Sequence, residues 1–162
     1  MTVQDPATGV ERFVIVPASY VFFLRDDGDP AVTEVLLQLR RGTGYMDEHW
    51  AAAAAGHVEA GETAYDAARR EAAEEIDVSD LALEFVTGMQ RTRHDLPIDE
   101  RIDFFFTARS WSGEPRVIEP DKAADLRWCP LDDLPDTVVP HELSVLDGLR
   151  TGSNPPYSTF GF

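Results

Sequence analysis

Between Thr63 and Asp77 the chain reads TAYDAARREAAEEID, and this run constrains the fold more than any other stretch. Alanine, arginine and glutamate dominate it, and all are strong helix formers, so Ala64 to Ile76 is expected to be helical. Thr63 stands where an N-cap belongs, and Asp66, three residues on, completes a capping-box-like pair. At the helical period, Tyr65, Ala68, Ala72 and Ile76 fall on one stripe, which is expected to face a core. Glu71, Glu74 and Glu75 lie at i, i+3 and i+4 and crowd together on one face.

The acidic face is costly. Glu71 with Glu74 and Glu71 with Glu75 are like-charge neighbours, each destabilising by roughly 0.2–0.5 kcal/mol. Glu74 and Glu75 also sit in the last turn, where the helix dipole disfavours an anion by about 0.3–1 kcal/mol. Arg70, four residues before Glu74, offsets only part of this. Three oxygen donors on one face suit a hard divalent cation, Mg²⁺ or Mn²⁺. The competing reading is a solvated acidic face.

Charge bounds the partners. The chain of 162 residues has a formal net charge of −16, which argues against nonspecific binding to nucleic acid or to an anionic membrane surface. An anionic ligand remains compatible if a cation stands between it and the protein. All the positive side chains but Lys122 are arginines, which offer forked contacts to phosphate. The single cysteine, Cys129, permits no intrachain disulfide and fits a reducing compartment. With no secretory leader pattern and no long apolar run, a cytoplasmic protein that spans no membrane is expected. No linker or internal repeat divides residues 1–162, so one domain is expected.

The rest of the chain reads as strands with a second helix. RFVIVPASYVFFLRDDGDP reads as one or two strands ending in a turn at Asp26 to Pro30. AVTEVLLQLRR then forms a hairpin partner. GTGYMDEHW is a loop. WAAAAAGHVEAGE reads as a short extended segment and loop, because a helix there would run straight into glycines. FVTGMQRT, IDFFFTARSW and DLRWCPL read as strands, PHELSVLDGLR as a last helix, and residues 151–162 as an irregular tail. Strands and helices mix without βαβ alternation, so the expected class is α/β, a mixed sheet with helices around it.

The segment GHVEAGETAYDAARREAAEEIDV, Gly56 to Val78, resembles the Nudix box, G-x5-E-x7-REUxEExGU with U a bulky aliphatic residue. Gly56, Glu62, Arg70, Glu71, Glu74, Glu75 and Val78 occupy matching positions. Chance alone would give such a match in on the order of one window in ten million at average usage. Asp77 replaces the late glycine, at a helix end where Asp tolerates the left-handed conformation better than most residues. Ala72 replaces a bulky residue, and alanines precede Gly56 where many relatives have a proline.

The resemblance implies an α/β/α sandwich around a mixed sheet and hydrolysis of a nucleoside diphosphate linked to another group. It implies Glu71, Glu74 and Glu75 as ligands of Mg²⁺, with Mn²⁺ as an alternative, one glutamate also serving as base for water. The backbone carbonyl of Ala55 would be a further ligand, and Glu62 with Arg70 would hold the loop to the helix. A small-molecule nucleotide is the implied partner, and a homodimer is suggested only at the level of the family. Some relatives use an acidic residue outside the box. Here DERIDFFF offers Glu100 and Asp103, Glu100 being the preferred choice and an ordinary loop charge its alternative.

EPDKAADLRW resembles a stretch of relatives that cleave nucleoside triphosphates, which would set Asp121 and Trp128 near a base; Trp128 in a strand is otherwise core. Arg40, Arg41, Arg91 and Arg93 are candidates for phosphate contact, each against a reading as solvated charge. Tyr45 and Trp50 either stack on a base or pack. His57 and His94 have no assigned role. The expected reaction converts a (deoxy)nucleoside triphosphate to monophosphate and pyrophosphate. Within the family, hydrolysis of an ADP-sugar or dinucleotide is the rival. An isoprenoid diphosphate isomerase would need a cysteine early in the chain. A non-catalytic nucleotide-binding module is the rival outside enzymes, although all three box glutamates are intact.

Overall fold

The computed structural model describes residues 1–26 and 32–162. Among the described residues, ten strands and two helices follow one another as β1 Thr2–Gln4, β2 Glu11–Phe13, β3 Val16–Arg25, β4 Glu34–Arg40, β5 Trp50–Ala52, β6 Ala54–His57, α1 Ala64–Ile76, β7 Leu83–Arg91, β8 Arg101–Ala108, β9 Ala123–Pro130, α2 Pro140–Thr151 and β10 Tyr157–Phe160. A 3₁₀ turn, Pro97–Asp99, precedes β8.

The central sheet runs β10-β7-β8-β3-β4-β5, with β6 also pairing with β3 and β9 with β4. The pairs β3/β8 and β10/β7 are parallel and the others antiparallel, so the sheet is mixed, as expected. β3 is its organising strand. Along it, Tyr20, Phe22 and Leu24 join one core cluster with Val145 and Leu146 of α2. Val21 and Phe23 join the other, with Ala68, Ala72 and Ile76 of α1. Strand alternation thus sends successive apolar side chains to opposite faces, and each face needs its own helix. The result is an α/β/α sandwich.

The alanine run is extended, as the sequence reading had it. Ala51 to Ala54 are almost wholly buried. Their helix propensity is overridden because the backbone bonds to neighbouring strands while the methyls fit beneath packed elements. α1 begins with a reciprocal capping box: Thr63 Oγ1 accepts from Asp66 N–H at 3.1 Å, and Asp66 Oδ2 accepts from Thr63 N–H at 2.9 Å. It ends at Asp77, which is left-handed at φ 60°. The expected stripe is in phase, but Tyr65 remains 42% exposed. It lies in the first turn, where only one side of its ring rests on Phe106.

Three expectations need correction or completion. The tail is not wholly irregular, because Tyr157–Phe160 adds a parallel edge strand to β7, a long-range pairing with no local sequence signal. Thr2–Gln4 pairs with Glu11–Phe13 in a separate two-stranded sheet that was not anticipated. Among the described residues, the β3/β4 hairpin pairs at Leu24–Val35 and Arg25–Glu34 before β4 turns to β5 and β9. Most of its expected turn, at 27–30, lies outside the described residues.

The cap can be tested directly. Thr63→Ala removes one half of the reciprocal pair and should destabilise the protein by about 1 kcal/mol, read as a lower urea midpoint with an unchanged slope.

Candidate active site

The box glutamates sit on α1, but Arg70 decides where their carboxylates point. Its Nε and Nη2 fork onto Glu62 at 2.6 and 3.0 Å. Nη2 also donates to the His57 carbonyl at 3.0 Å, and Nη1 donates to Glu71 at 2.6 Å and to Glu74 at 3.3 Å. Glu62 further accepts the Glu59 N–H at 3.0 Å. One guanidinium therefore ties the loop before the helix to the helix itself.

The three glutamates are not equivalent. Glu74 is 61% exposed, whereas the Glu71 side chain is 13% exposed and lies over the backbone of Gly56. A side chain at Gly56 would overlap the Glu71 carboxylate, which is the physical reason for glycine there. Glu75 accepts from Gln38 Nε2 at 3.0 Å, and the same nitrogen donates to the Ala52 carbonyl at 3.1 Å. Burial, then the charge of Glu71, pushes the Glu75 carboxyl up to about 8 against the Gln38 bond. Burial also raises Glu71, opposed by Arg70. Among the described residues, no three acidic, imidazole or thiol side chains converge as a ready-made ligand cage. Arg70 draws Glu71 and Glu74 towards itself while Glu75 is held by Gln38.

The donor set still fits a hard dication. Glu71 and Glu75, four residues apart on one helix face, both have raised proton affinity through burial, the state expected of desolvated, crowded anions that a cation would neutralise. Ala55, whose carbonyl was the expected backbone ligand, lines both cavities described next.

Two cavities open beside this face. The smaller, about 250 Å³, is lined by Gln38, Ala55, Glu75, Glu119 and Lys122 among others. The larger, about 440 Å³, includes Tyr20, Tyr45, His57, Arg101, His141 and Glu142. Arg40, Thr43 and Ala55 line both, so the two are neighbouring chambers of one cleft.

Beneath the larger chamber lies a buried polar floor. Asp103, 0% exposed, accepts from Arg91 Nε at 2.6 Å and has Arg101 Nε at 3.6 Å. His141 approaches Asp103 at 4.0 Å. Burial and then Arg91, Arg101 and Arg40 hold its imidazole neutral, well below the usual range. Glu142 accepts the Ala52 N–H at 2.8 Å, and burial raises its carboxyl to about 7. Among the described residues, Arg101 Nε, Asp103 Oδ1 and His141 Nε2 are buried without a hydrogen-bond partner.

The structure sorts the sequence candidates. Arg40 is central: its Nε donates to the Tyr45 carbonyl at 2.8 Å and its Nη2 to Thr43 Oγ1 at 2.9 Å. The Tyr45 ring has the guanidinium carbons of Arg40 and Arg93 at 5.5 and 5.3 Å from its centroid. Asp121 is exposed and lines neither chamber; its carbonyl lies against Gly42. Glu100 lines neither chamber; it accepts from Thr92 Oγ1 at 2.7 Å. Trp128 is also set apart, stacked on Trp111 beneath Arg25 at the far end of β9. Trp50 packs in the core under Arg127. Arg91, a candidate for phosphate contact or else a solvated charge, is instead buried and paired with Asp103. His57 lines the larger chamber, and Arg101 donates to its Nε2 at 3.0 Å.

Gln38, Glu119, Lys122, His141 and Glu142 escaped the sequence reading. Only Lys122, alone of its type, carried a usable signal. The others come from β4, a connecting loop and the start of α2, which meet only in the folded sheet.

Metal-free stability should fall as pH rises. Glu75 and Glu142 have folded-state values near 8 and 7, above the ordinary 4.5, so both bind protons more tightly folded than unfolded. Their contribution is fully present below that ordinary value and is lost as pH rises through the folded values. Above the ordinary imidazole range, where the depressed His141 no longer opposes the trend, thermal unfolding in chelator between about pH 7 and 9 should show a declining midpoint, and Glu75→Gln should flatten the decline.

A family profile described as NUDIX domain matches residues 15–149. A comparison with curated protein sequences returns no match. Solved structures do match in fold. A MutT NUDIX hydrolase from Burkholderia pseudomallei is 24% identical, covers 83% of this chain and 97% of its own, and superposes with a TM-score of 0.71. A MutT protein from Bacillus halodurans gives 21% identity, 90% and 88% coverage and 0.66. The NUDIX domain of Shewanella oneidensis NrtR, solved in complex with ADP ribose, gives 16%, 91% and 92%, and 0.69.

Proposed function

The chain belongs to the NUDIX domain family, and from that premise we propose that it is a Nudix pyrophosphohydrolase that converts a (deoxy)nucleoside triphosphate to the monophosphate and pyrophosphate with Mg²⁺. One observation carries this reading. Glu75 and the cations Arg40 and Lys122 line a single two-chambered cleft, with Glu71 four residues from Glu75 on the same helix face and set over Gly56, which lines the larger chamber; that chamber has an aromatic wall at Tyr45 and a polar floor. An elongated ligand with an anionic part and a flat polar part fits that division.

In this reading Glu71, Glu74, Glu75 and the Ala55 carbonyl hold the cation. A bound Mg²⁺ would neutralise phosphate oxygens and lower the pKa of a water. The protein's own groups do the rest. Arg70 fixes Glu71 against Gly56, and Gln38 fixes one oxygen of Glu75, so both carboxylates are pre-aimed. A glutamate of the pair takes the proton of the attacking water. Arg40 stands between the chambers, where it meets the phosphate chain of a nucleotide that occupies both. The same division suits an ADP-sugar or dinucleotide, and the size of the larger chamber and the ADP ribose of the NrtR complex favour that second reading.

A nucleotide panel with Mg²⁺ distinguishes the readings. For a triphosphate, inorganic phosphate should appear only when a pyrophosphatase is added, and Glu71→Gln or Glu75→Gln should lower kcat by about 10²–10³-fold. Cleavage of a nucleotide sugar or dinucleotide, with triphosphates inert, would replace the substrate class while keeping the site. An absence of any cleavage, together with no Mg²⁺ binding by calorimetry, would move the non-catalytic module to the front.

A further inference from the structure

Lys122 is the only lysine in the chain. It stands just before β9, on the wall of the smaller chamber that also carries Glu75 and Arg40. Its backbone is anchored: its carbonyl accepts from Arg41 N–H at 2.9 Å, and its N–H donates to the Glu119 carbonyl at 3.0 Å. The side chain is held far less. Its ammonium pairs with Glu119 at 2.9 Å, and both side chains are largely exposed. An exposed pair of this kind is weak and readily exchanged for a better anion.

The neighbouring cations are more firmly committed. Arg70 is forked on Glu62 and bonded to Glu71. Arg91 is paired with Asp103 under the larger chamber. Arg41 donates to the Pro120 carbonyl at 2.7 Å. Arg40 spends two of its nitrogens on Tyr45 and Thr43. Lys122 is thus the mobile charge of this wall, on a flexible stem suited to following an anion. It also feels the carboxylate face: Glu119 first, and then Glu75 and Glu71, favour its charged form. In a chain of net charge −16, a cation that stays available beside that face answers a specific need, the attraction of a polyanion.

We propose that Lys122 is a phosphate-binding residue of the smaller chamber, exchanging Glu119 for a phosphate oxygen of the substrate's di- or triphosphate, in the chamber that Glu75 also lines. The proposal rests on the nucleotide reading above and adds to it the residue that takes the phosphate end. Lys122 acts by binding, so its loss raises KM more than it lowers kcat.

The single lysine makes the test clean. Reductive methylation with carbon-13 formaldehyde labels Lys122 and the N-terminal amine, keeps both charges, and yields two NMR signals that Lys122→Arg tells apart. The probe is methylenediphosphonate with Mg²⁺, a pyrophosphate analogue that is not hydrolysed. The Lys122 signal is expected to move saturably while the N-terminal signal stays. Lys122→Ala should raise KM about tenfold for whichever nucleotide is turned over and leave kcat within about twofold. An unmoved Lys122 signal overturns the proposal, even if nucleotides are hydrolysed and the functional reading stands. A signal that moves while no nucleotide is hydrolysed supports the phosphate site and overturns the hydrolase reading instead. Because Lys122 is exposed, neither substitution threatens folding.

Discussion

The guanidinium of Arg70 is the interaction on which the acidic site depends. It donates to Glu62, Glu71, Glu74 and the His57 carbonyl at once. Without it, three glutamates on one helix would repel one another and the loop before α1 would lose its latch. Arginine is suited to this because its planar fork meets Glu62 with two parallel bonds while a third nitrogen remains for the helix. A lysine would supply the charge without the geometry.

Close approach is the second constraint. Glu71 reaches its position only because Gly56 presents bare backbone beneath it. The alanines before Gly56 extend the same economy of volume. They let β5 and β6 thread between two cores, with Ala52 and Ala54 on opposite sides of the sheet. Ala52 then serves both chambers' supports, its carbonyl taking Gln38 and its amide giving to Glu142. A small residue at a crossing of strands thereby couples the carboxylate face to the start of α2.

The larger chamber is organised differently. Its floor is a group of buried charges rather than an apolar surface, and such groups are tolerated only when paired. Asp103 is paired with Arg91, and neighbouring cations keep His141 neutral. α2 contributes two of these groups from its first turn, so the helix that covers one core also closes the cleft.

Much of this was legible from local pattern. The helix Ala64–Ile76, its cap, its left-handed end at Asp77 and the strand character of the alanine run all follow from short-range rules, and the structure has them. The box spacing placed Glu62, Arg70 and the three glutamates together because four of them share a helix and the fifth, Glu62, lies in the loop just before it. Glu100 and Asp103 stand together at a strand start and Glu100 was preferred, yet strand pleating turns Asp103 inward and Thr92 holds Glu100 aside. Trp128 belongs to the opposite end of its strand from the cleft, a matter of register that no local pattern encodes. Gln38, Lys122, His141 and Glu142 come from separated segments, and the parallel edge strand Tyr157–Phe160 pairs far along the chain. The sequence by itself determined what repeats within a turn or a strand, since those contacts are made by near neighbours. Only the tertiary structure decided which distant side chains share the cleft, because sheet order and register set those distances.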